Sequence, residues 1–228
     1  MKFSPDLVIF DVDGVLVDVR ESFHRSIIDT IHFFTGRRVT HAEIQLWKNR
    51  SGYNDDWRLT TDWLAALGVE ISYEAVKRRF MKFYWGEGGR RGNVARERWL
   101  VTPGRLRRWA SVADLALFTG RTRRELRHTL ERQDARRFFR RVVTMDDVRR
   151  CKPDPEGLRT LLRGAAPASA LYLGDSIDDA LAARRARVPF LGVLPRGSHA
   201  RRVRGRKLRE LGALEILDNV NELEEFWR

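Results

Sequence analysis

A single cysteine, Cys151, stands in a chain of 228 residues, so no internal disulfide framework can form and a reducing compartment is expected. No apolar run approaches the length that crosses a bilayer. Met1 to Pro5 lead straight into the first apolar segment without the layout of a signal peptide, which makes a cytoplasmic location the expectation. The histidines, His24, His32, His41, His128 and His199, show no metal-ligand spacing. There is no internal repeat and no low-complexity segment beyond a bias toward arginine. Lysine is scarce, yet the formal charge is +13, with Lys+Arg 44 against Asp+Glu 31. The arginines are dispersed along helical patterns, and their densest block, Arg196 to Arg209, has no interleaved aromatics for stacking on bases. Such a field suits a small anionic substrate better than nucleic acid.

What is present begins with Leu7-Val8-Ile9-Phe10 running into Asp11-Val12-Asp13-Gly14. A run apolar at every position reads as a strand buried on both faces, the kind found in parallel sheets. Parallel sheets place their chemistry beyond the carboxyl ends of the strands. Asp11 and Asp13 stand at such an end, and two acids facing one cleft need a cation or a shared proton. An ordinary strand end with turn-forming aspartates explains this segment equally well when it is taken alone.

From Arg20 to about Trp99 the pattern is helical. Phe23, Ile27, Ile28, Ile31 and Phe34 recur at helical spacing up to Gly36, and Thr40-His41-Ala42-Glu43 has the form of a capping box. Further helices are expected over 56–67 and from Ser72 to about Tyr84. After Val101-Thr102-Pro103-Gly104 strands and helices alternate. Strands are expected at 114–118, 141–144, 170–173, 190–194 and 214–217, with helices at 123–133, 154–163, 178–187 and 221–227. This implies an α/β fold: a Rossmann-like, doubly wound parallel sheet core (1–17 and 101–228) with an inserted all-helical cap domain (18–100).

Three further strand ends carry reactive residues. Leu115 to Phe118 runs into Thr119-Gly120-Arg121, a hydroxyl and free N–H groups that can cradle an anion or merely cap a helix. Lys152 lies between Cys151 and Pro153-Asp154-Pro155, where prolines fix the backbone. Leu171-Tyr172-Leu173 ends in Gly174-Asp175-Ser176, with Asp179 four residues beyond Asp175.

Asp11-Val12-Asp13-Gly14, Thr119, Lys152-Pro153 and Gly174-Asp175 with Asp179, taken in this order, resemble the haloacid dehalogenase-like (HAD) hydrolase superfamily. The likeness is to the subfamily with a helical cap after the first motif, which includes phosphoglycolate phosphatase-like and beta-phosphoglucomutase-like proteins. It spans essentially the whole chain and departs at Ala186-Arg187, where the family often has Ala-Gly. The resemblance implies Asp11 as nucleophile and Asp13 as general acid and base. Mg²⁺ would be held by Asp11, Asp175 and the Asp13 carbonyl, with Asp179 behind them. Thr119, Gly120 and Lys152 would bind the phosphoryl group. The dehalogenase branch lacks an acid at the second position, so Asp13 favours phosphoryl transfer. The expected partner is a small phosphorylated metabolite, with Lys48 and Arg50 of the cap as specificity candidates. A phosphomutase using the same chemistry is the alternative, followed by a basic nucleic-acid-binding protein on this fold. The oligomeric state, monomer or dimer, is left open.

Overall fold

The computed structural model describes residues 4–196 and 199–226. Residues 1–3, 197–198 and Trp227, together with the side chain of His199, entered the sequence reading and lie outside the described residues. The chain divides into two compact units, Met1–Val17 with Trp99–Arg228, and Asp18–Arg98.

The first unit is built on one six-stranded sheet. Its strands are β1 (Leu7–Phe10), β4 (Asp114–Phe118), β5 (Arg141–Val143), β6 (Ala170–Gly174), β7 (Phe190–Val193) and β8 (Glu215–Leu217), in the spatial order β5-β4-β1-β6-β7-β8. Every pairing is parallel. The short strands β2 (Val17–Asp18) and β3 (Arg98–Trp99) form a separate two-stranded sheet where the chain leaves and returns. β1 is buried from end to end, as its uninterrupted apolar run requires. With β4 on one side and β6 on the other, the carboxyl tips of three strands lie side by side. This is the point where the strand order reverses direction and where such sheets bind ligands.

Helices α5 (Pro103–Ala110), α6 (Arg123–Arg132), α7 (Glu156–Leu162), α8 (Ile177–Ala186), α9 (His199–Glu210) and α10 (Leu223–Phe226) accompany the sheet. α7 starts two residues later than its sequence pattern suggests, because Pro155 occupies the N-cap and the Asp154 carboxylate accepts from the Glu156 N–H at 3.0 Å. α8 closes on Arg187, which takes the left-handed conformation (φ 58°, ψ 32°) that more often selects glycine. Phe118, Tyr172 and Phe190 meet across β4, β6 and β7 with ring centroids 6.0 and 5.8 Å apart, forming an aromatic shelf beneath the tips.

The second unit consists of α1 (Phe23–Thr35), α2 (His41–Lys48), α3 (Asp56–Ala66) and α4 (Tyr73–Trp85) with short connections. The capping box at Thr40 and Glu43 is present. Aromatic side chains fill the interior: Phe23 lies 4.5 Å from Tyr84, and Trp47 stacks on Trp63 at 5.5 Å. Among the described residues no helix is long and apolar enough to cross a membrane.

Candidate active site

Asp11 is the first residue beyond β1, and its N–H still donates to the Leu173 carbonyl of β6 at 2.8 Å. That bond holds the carboxylate between the two strands, with the residue only 5% exposed. The chain then turns at Gly14, whose φ of +78° suits glycine. A Cβ there would fall 2.6 Å from Cγ of Asp175. The tips of β1 and β6 therefore approach more closely than a side chain at position 14 allows.

Lys152 reaches this place from the loop between β5 and α7. The loop is tied down: Glu156 accepts from the N–H groups of Arg149 and Arg150, both at 3.1 Å, and Arg185 donates to the Pro153 carbonyl at 2.8 Å. The Lys152–Pro153 peptide is cis. The buried ammonium lies 4.7 Å from the Phe118 ring centroid, a favourable contact for a cation. It bridges Oδ1 of Asp11 and Oδ1 of Asp179, each at 2.8 Å. Burial alone would depress the lysine, but the carboxylates of Asp11 and Asp179 outweigh it and hold the ammonium above its ordinary range. Asp179 is held by more than this. Its Oδ1 also accepts from the Tyr172 hydroxyl at 2.5 Å, and its Oδ2 accepts from the N–H and hydroxyl of Ser176 at 3.0 and 2.6 Å. Burial works against its charge, while Lys152, Ser176 and Tyr172 prevail and keep it in the low carboxylate range. A Cβ on Gly174 would lie 2.5 Å from that of Asp179, so glycine is required at that point of β6.

Asp11 behaves differently. Burial raises its carboxyl well above the usual range, Lys152 opposes the shift, and the nearby Asp179, Asp13 and Asp175 reinforce it. Carboxylate oxygens of Asp11, Asp175 and Asp179 all lie within 4.8 Å of one another. Hard oxygen donors this close, one of them reluctant to ionise without a cation, fit a hard divalent ion such as Mg²⁺. Asp179 already accepts from four donors: Lys152, the Tyr172 hydroxyl, and the N–H and hydroxyl of Ser176. Asp13 contributes no carboxylate to the trio because that group is turned to Arg121, so any part it plays in holding an ion falls to its carbonyl.

Thr119 follows β4, with its N–H donating to the Val143 carbonyl at 3.0 Å and its side chain buried. Its Oγ1 accepts from the N–H of Arg121 at 3.1 Å, which leaves the hydroxyl hydrogen to be donated elsewhere. Gly120 continues the same tip. Lys48 and Arg50 belong to the helical unit and have partners there: Lys48 pairs with Asp56 at 2.6 Å, and the Arg50 guanidinium lies 4.6 Å from the Trp47 ring centroid.

Three residues at the strand tips were not singled out by the sequence. Tyr172 orients Asp179, Arg121 pairs with Asp13 at 2.6 Å, and Arg204 of α9, 3% exposed, lies 3.4 Å from Asp175 Oδ2. Tyr172 sits in an apolar strand and Arg204 in a run of arginines, so neither carried a local signal. Arg121 did carry one, directly after Thr119-Gly120. Most of the other cations of the basic block meet acids that follow it in the chain. Arg196 and Arg201 meet Asp218, Arg206 and Lys207 meet Glu210, and Arg209 meets Glu215.

Residues 110–193 match the family model described as haloacid dehalogenase-like hydrolase. Among curated proteins the chain is similar to an imidazoleglycerol-phosphate dehydratase of Phytophthora nicotianae, with 30% identity over 92% of this chain and 49% of that one. It thus spans about half the length of that relative. It is also similar to a phosphoglycolate phosphatase of Pseudomonas syringae pv. syringae, with 29% identity over 96% of this chain and 78% of that protein. Of solved structures, a predicted phosphoglycolate phosphatase from Haemophilus somnus superposes with a TM-score of 0.77 at 20% identity, covering 99% of each chain. Over residues 110–193 in sequence, and in fold along nearly all of its length, with its acids gathered where the strand order reverses, the chain is similar to haloacid dehalogenase-like hydrolases.

Proposed function

We propose that this protein is a Mg²⁺-dependent phosphatase that hydrolyses a small phosphomonoester through an aspartyl-phosphate on Asp11, in the cytoplasm. The observation that carries the reading is the Lys152 ammonium, buried and bonded at 2.8 Å to both Asp11 and Asp179. A carboxylate approaching a phosphoryl dianion faces strong repulsion, and a fixed buried cation on the attacking carboxylate counters it. The residues fit a divalent ion held by Asp11, Asp175 and the Asp13 carbonyl, and such an ion supplies charge neutralisation at the phosphoryl oxygens.

The chain's own groups account for the remaining chemistry. An Asp11 oxygen forms the bond to phosphorus as the ester oxygen departs, and Asp13 gives that oxygen its proton. In the second half Asp13 takes a proton from water, the water oxygen bonds to phosphorus, and Asp11 leaves as carboxylate with inorganic phosphate released. Thr119, through its hydroxyl hydrogen, and the Gly120 N–H hold the phosphoryl oxygens, and Lys152 balances their charge. Lys48 and Arg50 remain candidates for contact with the leaving group.

The test is hydrolysis of 4-nitrophenyl phosphate and of a panel of phosphorylated metabolites, 2-phosphoglycolate among them, with Mg²⁺ and with chelator. Asp11→Asn is expected to abolish turnover with the fold intact by circular dichroism. Wild-type-like activity in that variant, or undiminished activity in chelator, overturns the reading. Release of inorganic phosphate, rather than transfer to a second hydroxyl of a sugar phosphate, separates it from a mutase.

A further inference from the structure

Arg121 is a fully buried guanidinium, its side chain 0% exposed, and its ion-pair partner Asp13 lies 108 residues away in sequence and is 31% exposed. Burying an arginine is costly unless its donors are used, and here they are. Nη1 donates to Oγ1 of Thr129 on α6 at 2.5 Å. Nε and Nη2 donate to Asp13 at 2.8 and 2.6 Å, and both fall on the same oxygen, Oδ1. The usual arginine–carboxylate fork takes one oxygen per donor. Here Asp13's other oxygen, Oδ2, stays out of the pair. The arginine's backbone is fixed as well, its N–H on Thr119 Oγ1 at 3.1 Å and its carbonyl accepting from Met145 N at 3.1 Å.

We propose that Arg121 is a positioning residue for Asp13, clamping Oδ1 from both sides of its fork so that Oδ2 alone is presented for proton transfer. The inference rests on the reading of Asp13 as the general acid and base. A carboxylate free to rotate about its last torsion presents either oxygen in a range of directions. Pinning one oxygen with two donors fixes the plane of the group and the direction of the other. General acid–base catalysis contributes about 10² to 10⁴ in rate, and misplacement of the group forfeits much of that. The loss is selective, because a leaving group that is stable as an anion needs no proton.

The experiment therefore compares kcat/KM, which covers steps up to phosphoryl transfer to Asp11, for three aryl esters of similar shape: 2,4-dinitrophenyl, 4-nitrophenyl and phenyl phosphate. For Arg121→Met the expected loss is about 100-fold on phenyl phosphate and under about 5-fold on the dinitrophenyl ester. Arg121→Lys should move in the same direction, as should Thr129→Val, which removes the Nη1 anchor without touching Asp13. These two keep the test open if the methionine variant does not fold. Asp13→Asn should show the same leaving-group dependence, and adding Arg121→Met to it should not steepen that dependence further. If Asp13→Asn is leaving-group dependent while the Arg121 and Thr129 variants lose equally on all three esters, positioning by Arg121 is overturned and the role of Asp13 stands. If Asp13→Asn shows no such dependence, the underlying reading fails first.

Discussion

Glu125 is a carboxyl placed where its charge is unwelcome. It is the N3 residue of the capping box on α6, and its Oε2 accepts from the Thr122 N–H and hydroxyl at 2.7 and 2.8 Å, while buried Oε1 has no hydrogen-bond partner. Burial pushes it up to about 7 from an ordinary 4.5; the Thr122 bonds and Arg121 oppose that shift, and Asp13 adds to it. A folded-state value above the unfolded one means the native state holds its proton longer. Stability from this group is therefore complete below about 4.5 and is lost as pH rises through about 7. The whole shift corresponds to roughly 3 kcal/mol. Glu125→Gln keeps an acceptor for the cap and removes the titration. Urea unfolding at pH 5 and pH 8 is expected to show the wild type losing more stability between the two than the glutamine variant, by up to roughly 3 kcal/mol. Equal losses in the two proteins would mean that Glu125 ionises as freely in the fold as out of it. Asp11, also raised, contributes to both proteins alike and cancels in the comparison.

Capping boxes close the amino ends of α2, α6 and α8, and at α8 the same atoms serve two purposes. Ser176 accepts from the Asp179 N–H to start the helix and donates to Asp179 Oδ2, fixing the carboxylate that holds Lys152. Thr40 makes the equivalent box on α2 with Glu43, whose carboxylate holds no buried lysine but pairs with the exposed Arg37. Ser176→Ala and Thr40→Ala should each lower unfolding stability by about 1 kcal/mol. Only the first should also lower kcat, by several-fold, in Mg²⁺-supported phosphate release. An equal effect on kcat from both would assign Asp179's orientation to Tyr172 and Lys152 alone. The same elements show how far the sequence could be read. The sheet was legible because its strands are short apolar runs ending in glycine or acid, and α1 and α4 because their apolar residues keep helical spacing. α9 was not: His199 to Glu210 is mostly cationic with Gly205 inside it, so few apolar positions mark a buried face. α5 opens on Pro103-Gly104, which reads as a turn, yet Thr102 caps it and proline is well placed in a first turn. At the site, Asp11 and Asp175 stood out because each follows directly on an apolar strand, Asp179 because it lies four residues beyond Asp175, and Lys152 because prolines fix the backbone after it. The pairing of Arg121 with Asp13 and of Arg204 with Asp175 is a matter of which elements become neighbours in space, which spacing along the chain does not encode.

At the scale of the whole molecule the arginines act together. Many are paired on the surface, but 31 acidic residues cannot offset 44 cationic ones, and the excess of +13 survives any arrangement of pairs. Exposed pairs contribute little to stability, whereas a net field raises the local concentration of an oppositely charged ligand and its association rate. A phosphomonoester is a dianion near neutral pH, so the field acts on it at every approach. Screening sets the range: about 30 Å at 0.01 M salt and about 10 Å at 0.1 M. If the charge serves the substrate, kcat/KM should fall several-fold as NaCl rises from about 10 to about 300 mM, while kcat, measured at saturation, stays level. Replacing the exposed Arg202 and Arg206 of α9 with glutamate should flatten that slope without changing kcat. A salt-independent kcat/KM in the wild type would mean that the carboxylates beside each arginine cancel its field locally. The arginine bias would then serve solubility rather than catalysis.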